Sequence, residues 1–254
     1  MLGCVNRGGT GSLLRLPETP ELEVEIPLLE DSRRALDIWQ ARPGEILTVL
    51  APDQTAFRAR LTLMDHNSAR CVPFERLQPP PESALSLQVY QALPDKERFE
   101  TILQKLTELG AARIVPMQTD RSLSLAERDT PQKKSHRWPE VLLRAARQSR
   151  RAMLPELFAV TSFRAALDLA AKAELGLLLD EGDTHWSLTE GVGSFQPQSV
   201  ALLIGPEGGF SEAEREAAQA AGILPVKLGP RLLRTETAAI AAAAVVQNLV
   251  GDLR

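Results

Sequence analysis

Ile204-Gly205-Pro206-Glu207-Gly208-Gly209-Phe210-Ser211 and Leu228-Gly229-Pro230-Arg231-Leu232-Leu233-Arg234-Thr235-Glu236-Thr237 are the two stretches on which the reading of this chain turns. Each leaves a short apolar run, Val200–Ile204 or Leu224–Leu228, and each opens a helical pattern. Loops of this kind, at the carboxyl ends of parallel strands, are where open α/β sheets bind ligands. Gly205, Gly208 and Gly209 permit positive φ and let a ligand approach the backbone. The competing reading is a tight turn that needs glycine for steric reasons alone. A phosphate loop fits poorly, because Glu212 and Glu214 in the next helical turn repel anions. Ser211 with Glu214 is a capping box for a helix over Glu212–Ala221. In the second loop Leu232 and Leu233 either plug the core or line an apolar pocket. Thr235 reads as the N-cap of an Ala-rich helix running to about Leu249, with Glu236 and Thr237 in its first turn. Arg234 is a cation just ahead of a helix N-terminus, where the dipole disfavours it, so its position points to another task.

Outward from the loops, strands and helices alternate. Leu85–Ala92, Arg113–Pro116 and Leu175–Leu179 read as strands. Glu97–Leu109, His136–Arg151 and Ser162–Ala173 read as helices. This alternation predicts a parallel sheet covered by helices on both faces. It starts after Gln78-Pro79-Pro80-Pro81-Glu82-Ser83, where consecutive prolines stop a helix or central strand. The break divides the chain into residues 1–80 and 81–254. In the first part Glu21–Ile26 alternates apolar and acidic residues, Arg42-Pro43-Gly44-Glu45 is a turn, and Ile46–Leu50, Phe57–Met64 and Ala69–Phe74 are strand-like. Five or so short strands there predict a small barrel or sandwich.

Composition narrows the class. The chain has 254 residues, 44% hydrophobic and 24% charged, which is ordinary for a soluble globular protein. No apolar run is long enough to span a bilayer, and Met1–Arg15 has no apolar signal segment, so a cytoplasmic protein is expected. Cys4 and Cys71 are isolated, and His66, His136 and His185 are scattered, so no metal site is expected. The net charge of −4 argues against coating nucleic acid by charge alone. A local basic face remains. Lys133, Lys134, Arg137, Arg144, Arg147, Arg150 and Arg151 share one window with Glu140 as its sole acid. Arg137, Arg144 and Arg151 repeat every seven residues with Arg147 on the same side, a face suited to a polyanion or simply to solvent.

The two loops resemble those of the SPOUT superfamily of knotted methyltransferases, and specifically the RsmE family, which methylates N3 of a uridine in small-subunit (16S) ribosomal RNA. The likeness extends to Gln104–Gly110, Ile114–Ser122 and Gln148–Arg151. It implies a C-terminal SPOUT-type α/β domain with a trefoil knot and an N-terminal PUA-like barrel that binds RNA. It implies S-adenosylmethionine bent in the knot, held at the strand end Leu178–Asp180, including Leu179, and by Gly205, Glu207, Gly208, Gly209, Leu228, Gly229, Leu233, Thr235 and Thr237. A homodimer is implied, with ribosomal RNA as partner. Arg121, Arg144, Arg147, Gln148 and Arg151 are the expected RNA contacts, and Arg234 and Glu236 the expected catalytic pair. The sequence departs from the family where Arg33–Gln40 replaces a His-rich stretch and where Arg147 replaces a glutamate. Ribose 2′-O-methylation and a non-catalytic role in ribosome assembly stay open as alternatives.

Overall fold

The computed structural model describes residues 4–66, 68–123, 137–182 and 186–253. His136, His185, Lys133 and Lys134 lie outside them. The N-terminal part is a four-stranded antiparallel sheet of order β1-β4-β3-β2, built from β1 (Ile26–Pro27), β2 (Ile46–Leu50), β3 (Ala56–Met64) and β4 (Ala69–Leu77). Arg15 bridges to Leu50 beside β2, and Leu14, Leu16, Leu36, Trp39, Val49 and Leu61 fill the core of this small barrel.

The strand expected over Glu21–Ile26 shrinks to Ile26–Pro27. Its alternation is real, but Leu22 (44% exposed) and Val24 (48% exposed) meet solvent, and Glu23 is left-handed at φ 64°. Only Ile26 is buried, opposite Cys71. A helix that the sequence reading lacks, α1 (Ser32–Ile38), covers the barrel instead. It buries Ala35 and Leu36, and Trp39 just beyond it donates Nε1–H to Ser12 O. Burial pushes the Cys71 thiol up to about 12, so it is protonated and inert at neutral pH.

The second sheet has β5 (Ser86–Ala92), β6 (Arg113–Gln118), β7 (Glu156–Leu157), β8 (Thr161–Ser162), β9 (Leu175–Leu179), β10 (Ser199–Ile204) and β11 (Leu224–Val226). All its pairings are parallel and its order is β11-β9-β10-β5-β6-β7, with β8 also on β6. Val200 through Ile204 are essentially inaccessible, as expected of a strand covered on both faces. The helices are α2 (Lys96–Glu108), α3 (Trp138–Gln148), α4 (Phe163–Ala170), α5 (Leu188–Val192), α6 (Glu212–Ala220) and α7 (Thr235–Val250). The described helix α3 begins at Trp138, inside the expected His136–Arg151. Ile204 aligns with Leu179 on one side and Gln91 on the other, and Leu179 with Val226. The ends of β5, β10, β9 and β11 therefore share one rim. From the edge strand β11 the chain crosses that rim to reach α7, which packs back on β5, β10, α2 and α5. Both loops lie at this rim: the first leaves β10 for α6, and the second lies on the path from β11 to α7.

One buried ion pair joins the Pro-rich break to the second sheet. Arg151, whose side chain is 3% exposed, donates to Glu82 and to the carbonyls of Thr107 and Ala111. Glu82 also accepts from Ala152 N and Met153 N at 2.8 and 3.0 Å. Removing one partner strands the other charge out of water. Arg151→Ala should therefore lose about 3 kcal/mol of stability by chemical denaturation; a loss below about 1 kcal/mol would contradict this account of the joint.

Candidate functional site

The first loop is built by glycine chemistry and one capping box. Gly209 takes φ 68°, and its N–H donates to Pro206 O at 2.9 Å, closing the turn. A Cβ on Gly205 would stand 3.2 Å from the ring of Phe210, which is buried against Phe163. Ser211 caps α6, and the expected box is complete: Glu214 N donates to Ser211 Oγ, and Ser211 N to Glu214 Oε2. The segment after β6 staples the loop from outside. Ser211 Oγ donates to Asp120 Oδ2 at 2.6 Å, and Asp120 N donates to Glu214 Oε1 at 3.0 Å. Arg121, expected at the RNA, gives Nη1–H to Gly208 O at 2.8 Å. Its side chain thus braces the loop, and Gly208 faces Arg121 rather than the pocket.

The second loop corrects the reading of Thr235. The N-cap of α7 is Arg234, in extended backbone, and Thr235 is the first helical residue. Its hydroxyl caps nothing in its own helix. It donates to Gly205 O at 2.7 Å and accepts from Gln91 Nε2 at 2.9 Å. Thr235 is buried, so these bonds are shielded from water. A residue that the sequence offers as a helix cap is the tie between the two loops.

Together the loops close on a cavity of about 320 Å³. Leu179, Ile204, Val226, Leu228, Leu233 and Ala238 give it an apolar wall, and Gly205, Glu207, Gly209, Gly229 and Thr235 complete the loops' share. Asp180, Glu181, Glu207, Lys227 and Arg231 supply charge. Of the expected ligand-holding residues Leu178, Gly208 and Thr237 are not in the lining. Leu232 is 80% exposed, so it does not plug the core, but with Leu233 it lines the cavity, the second of the two expectations for that loop.

Beside the pocket is a cation that the sequence reading misses. Arg98, in the first turn of α2, binds Asp95 at 2.9 Å, pairs with Glu207 of the first loop, and lies 3.9 Å from Glu236 in the first turn of α7. Asp95 first, then Glu207 and Glu236, hold its guanidinium above the usual arginine pKa. The local signal was Asp95, which caps α2 through Arg98 N. Its distant partners lie more than a hundred residues on. Glu236 is 18% exposed at its side chain, and its Oε2 is buried without a hydrogen bond among the described residues. Arg234 is exposed and forms no ion pair with another described residue.

The basic face divides. Arg137, Arg144 and Gln148 are exposed, and Arg144 and Gln148 line a groove between α2 and α3 that also carries Glu97 and Glu100. Arg147 and Arg151 are not on an open face. Arg151 is buried against Glu82. Arg147 donates to Trp39 O and pairs with Glu45 at 3.1 Å, tying α3 to the barrel. The expected seven-residue repeat does not hold to its end: the helix stops at Gln148, the chain turns at left-handed Arg150, and Arg151 leaves the face that Arg137 and Arg144 keep exposed.

Residues 81–247 match the family model described as the RNA methyltransferase domain, which makes this pocket that of an RNA methyltransferase. The match holds every lining residue of the cavity. The chain belongs to the ribosomal RNA small subunit methyltransferase E family and shares the fold of its solved members. It is 32% identical to the enzyme of that name from Mycobacterium bovis, over 85% of this chain and 83% of the relative. It is 28% identical to the one from Bacillus subtilis, over 89% and 90%. The crystal structure of the Neisseria gonorrhoeae enzyme bound to S-adenosyl methionine is 30% identical, with a TM-score of 0.67 over 94% of this chain and 98% of that one.

Thr235→Val keeps the shape but leaves the Gly205 carbonyl without its donor. It should cost about 1–3 kcal/mol in denaturation, and Thr235→Ser, which keeps the hydroxyl and loses one buried methyl, about 0.8 kcal/mol. Equal stability of the Val and wild-type proteins would contradict the proposed tie.

Proposed function

We propose that this protein methylates N3 of a uridine in 16S ribosomal RNA, using S-adenosylmethionine. The observation that carries the reading is the pocket that the two loops share where Thr235 binds Gly205, in a chain of this family. The donor set suits the cofactor. An apolar wall of Leu179, Val226, Leu228 and Leu233 fits an adenine ring, carboxylates at Asp180, Glu181 and Glu207 fit a sulfonium, an ammonium and ribose hydroxyls, and Arg231 or Lys227 fits its carboxylate. The backbone at Gly205, Gly209 and Gly229 completes the cradle, with Gly208 and Thr237 in support. The path of the chain from β11 across the rim to α7 is consistent with the trefoil knot that the family resemblance implies.

When bound, S-adenosylmethionine supplies an activated methyl group. The protein's own work is positioning. N3 lies on the Watson–Crick edge, so the uridine must be unpaired or flipped out. Arg234, exposed at the start of α7, opposes the negative charge that develops on a uridine oxygen as N3 loses its proton. Glu236, whose Oε2 is buried and accepts no hydrogen bond from the described residues, takes that proton. Residues 1–80 and the exposed Arg144 and Gln148 hold the RNA, and Arg121 acts through the first loop. The active unit is a homodimer, for which Leu232 offers apolar surface that a second copy would cover. A ribosomal substrate places the protein in the cytoplasm. Among the described residues no helix is long and apolar enough to cross a membrane.

The test is transfer from methyl-labelled S-adenosylmethionine to small-subunit ribosomal RNA, followed by nucleoside mass spectrometry. N3-methyluridine is expected. A 2′-O-methylated nucleoside would assign the ribose reaction instead, and no transfer would favour the assembly role. Arg234→Ala should lower turnover by about 10²-fold or more, with cofactor Kd within about threefold of wild type; undiminished turnover would remove Arg234 from the mechanism.

A further inference from the structure

Arg150 stands in left-handed backbone, at φ 60°. It follows the end of α3, where Arg151 N donates to Ala146 O at 2.9 Å and Arg150 N to Arg147 O at 3.2 Å. This is a helix C-cap whose left-handed position glycine fills without strain. An arginine there holds its Cβ in a conformation that L residues avoid.

The same residue meets a second unfavourable feature. Arg58 on β3 lies between Thr48 on β2 and Glu75 on β4 in the sheet register. Arg58 Nη1 donates to Thr48 Oγ1 at 2.7 Å, and Thr48 Oγ1 donates to Arg150 O at 2.9 Å. Arg150 Nη1 lies 3.5 Å from Glu75 Oε1. Glu75 is thus the carboxylate that faces both guanidinium groups, Arg150 at ion-pair distance and Arg58 as its neighbour across the sheet, and one positive charge is left over. Burial pushes the pKa of Arg58 down, the charge of Arg150 pushes it further, and Glu75 offsets this only in part. The Arg150 side chain is 59% exposed, so packing does not account for it. Arg60, two residues along the same face of β3, is also exposed.

Strained backbone and crowded like charge, both fixed by surrounding structure, mark a place shaped for a ligand. We propose that Arg58 and Arg150 form an anion site, at the seam between the N-terminal sheet and α3, that grips a phosphodiester of the RNA substrate. The guanidinium forks suit phosphate oxygens, and the single excess positive charge matches one phosphodiester. A bound anion relieves the repulsion between the two arginines. Thr48, buried between them, sets their spacing. This inference rests on RNA being the substrate and adds where its backbone is held.

Arg150→Gly separates this role from folding, because it removes the charge and the strain together. Its Tm should equal or exceed that of wild type. Binding of protein-free small-subunit ribosomal RNA is measured across a salt series for wild type, Arg150→Gly and Arg58→Gln, with S-adenosylmethionine affinity measured beside it. Arg150→Gly should weaken RNA binding about tenfold and reduce the slope of log K against log salt by about 0.7–0.9. Arg58→Gln should do the same, and cofactor affinity should not change in either. RNA affinity and salt slope equal to wild type in a folded Arg150→Gly would overturn the site alone. Absence of RNA binding by the wild-type protein would overturn the RNA reading, and the site with it.

Discussion

The Thr235 hydroxyl is the atom group on which the site depends. It joins the start of α7 to the Gly205 carbonyl at 2.7 Å and to Gln91 at 2.9 Å, so three segments meet at one buried point. Gln91 Nε2 also donates to Ala92 O, which anchors the point to the central strand β5. A buried polar network is strong when its members are matched and costly when one is lost. The second loop is therefore held against the first by hydrogen bonds, while an apolar wall remains free between them. Without this tie α7 could pack on the sheet and still leave the pocket open.

Electrostatics repeat the same logic around the rim. Arg98 gathers Asp95, Glu207 and Glu236, which come from the start of α2, the first loop and the start of α7. The carboxylates at Asp180 and Glu181 remain on the pocket side. With Lys227 and Arg231 in the same lining, the rim carries both signs over an apolar wall, which favours a ligand that is zwitterionic at one end and aromatic at the other. The chain's net charge of −4 is thus compatible with an RNA enzyme, because the arginines at the barrel seam and on α3 are local.

Legibility in the sequence followed the range of each interaction. Short-range chemistry was readable. The capping box Ser211–Glu214, the strand Leu175–Leu179 and the apolar run Val200–Ile204 all stand where periodicity and capping put them. The errors came from partners far away in the chain. Thr235 looks like an N-cap because its neighbours are those of an N-cap, yet its acceptor is thirty residues earlier. Arg147 and Arg151 read as one basic helical face, yet the helix ends at Gln148, and Glu45 and Glu82 cover the two arginines from the barrel and the Pro-rich break. Glu21–Ile26 has strand alternation, but no sheet meets Leu22 and Val24. Arg98 was invisible because its partners Glu207 and Glu236 come together only in the folded chain.

The two loops, tied at Thr235, make one pocket in each chain. Calorimetric titration of the full chain with S-adenosylmethionine tests it most directly. The account predicts saturable binding at one site per chain. An absence of binding heat at millimolar cofactor, in protein shown to be folded, would contradict it.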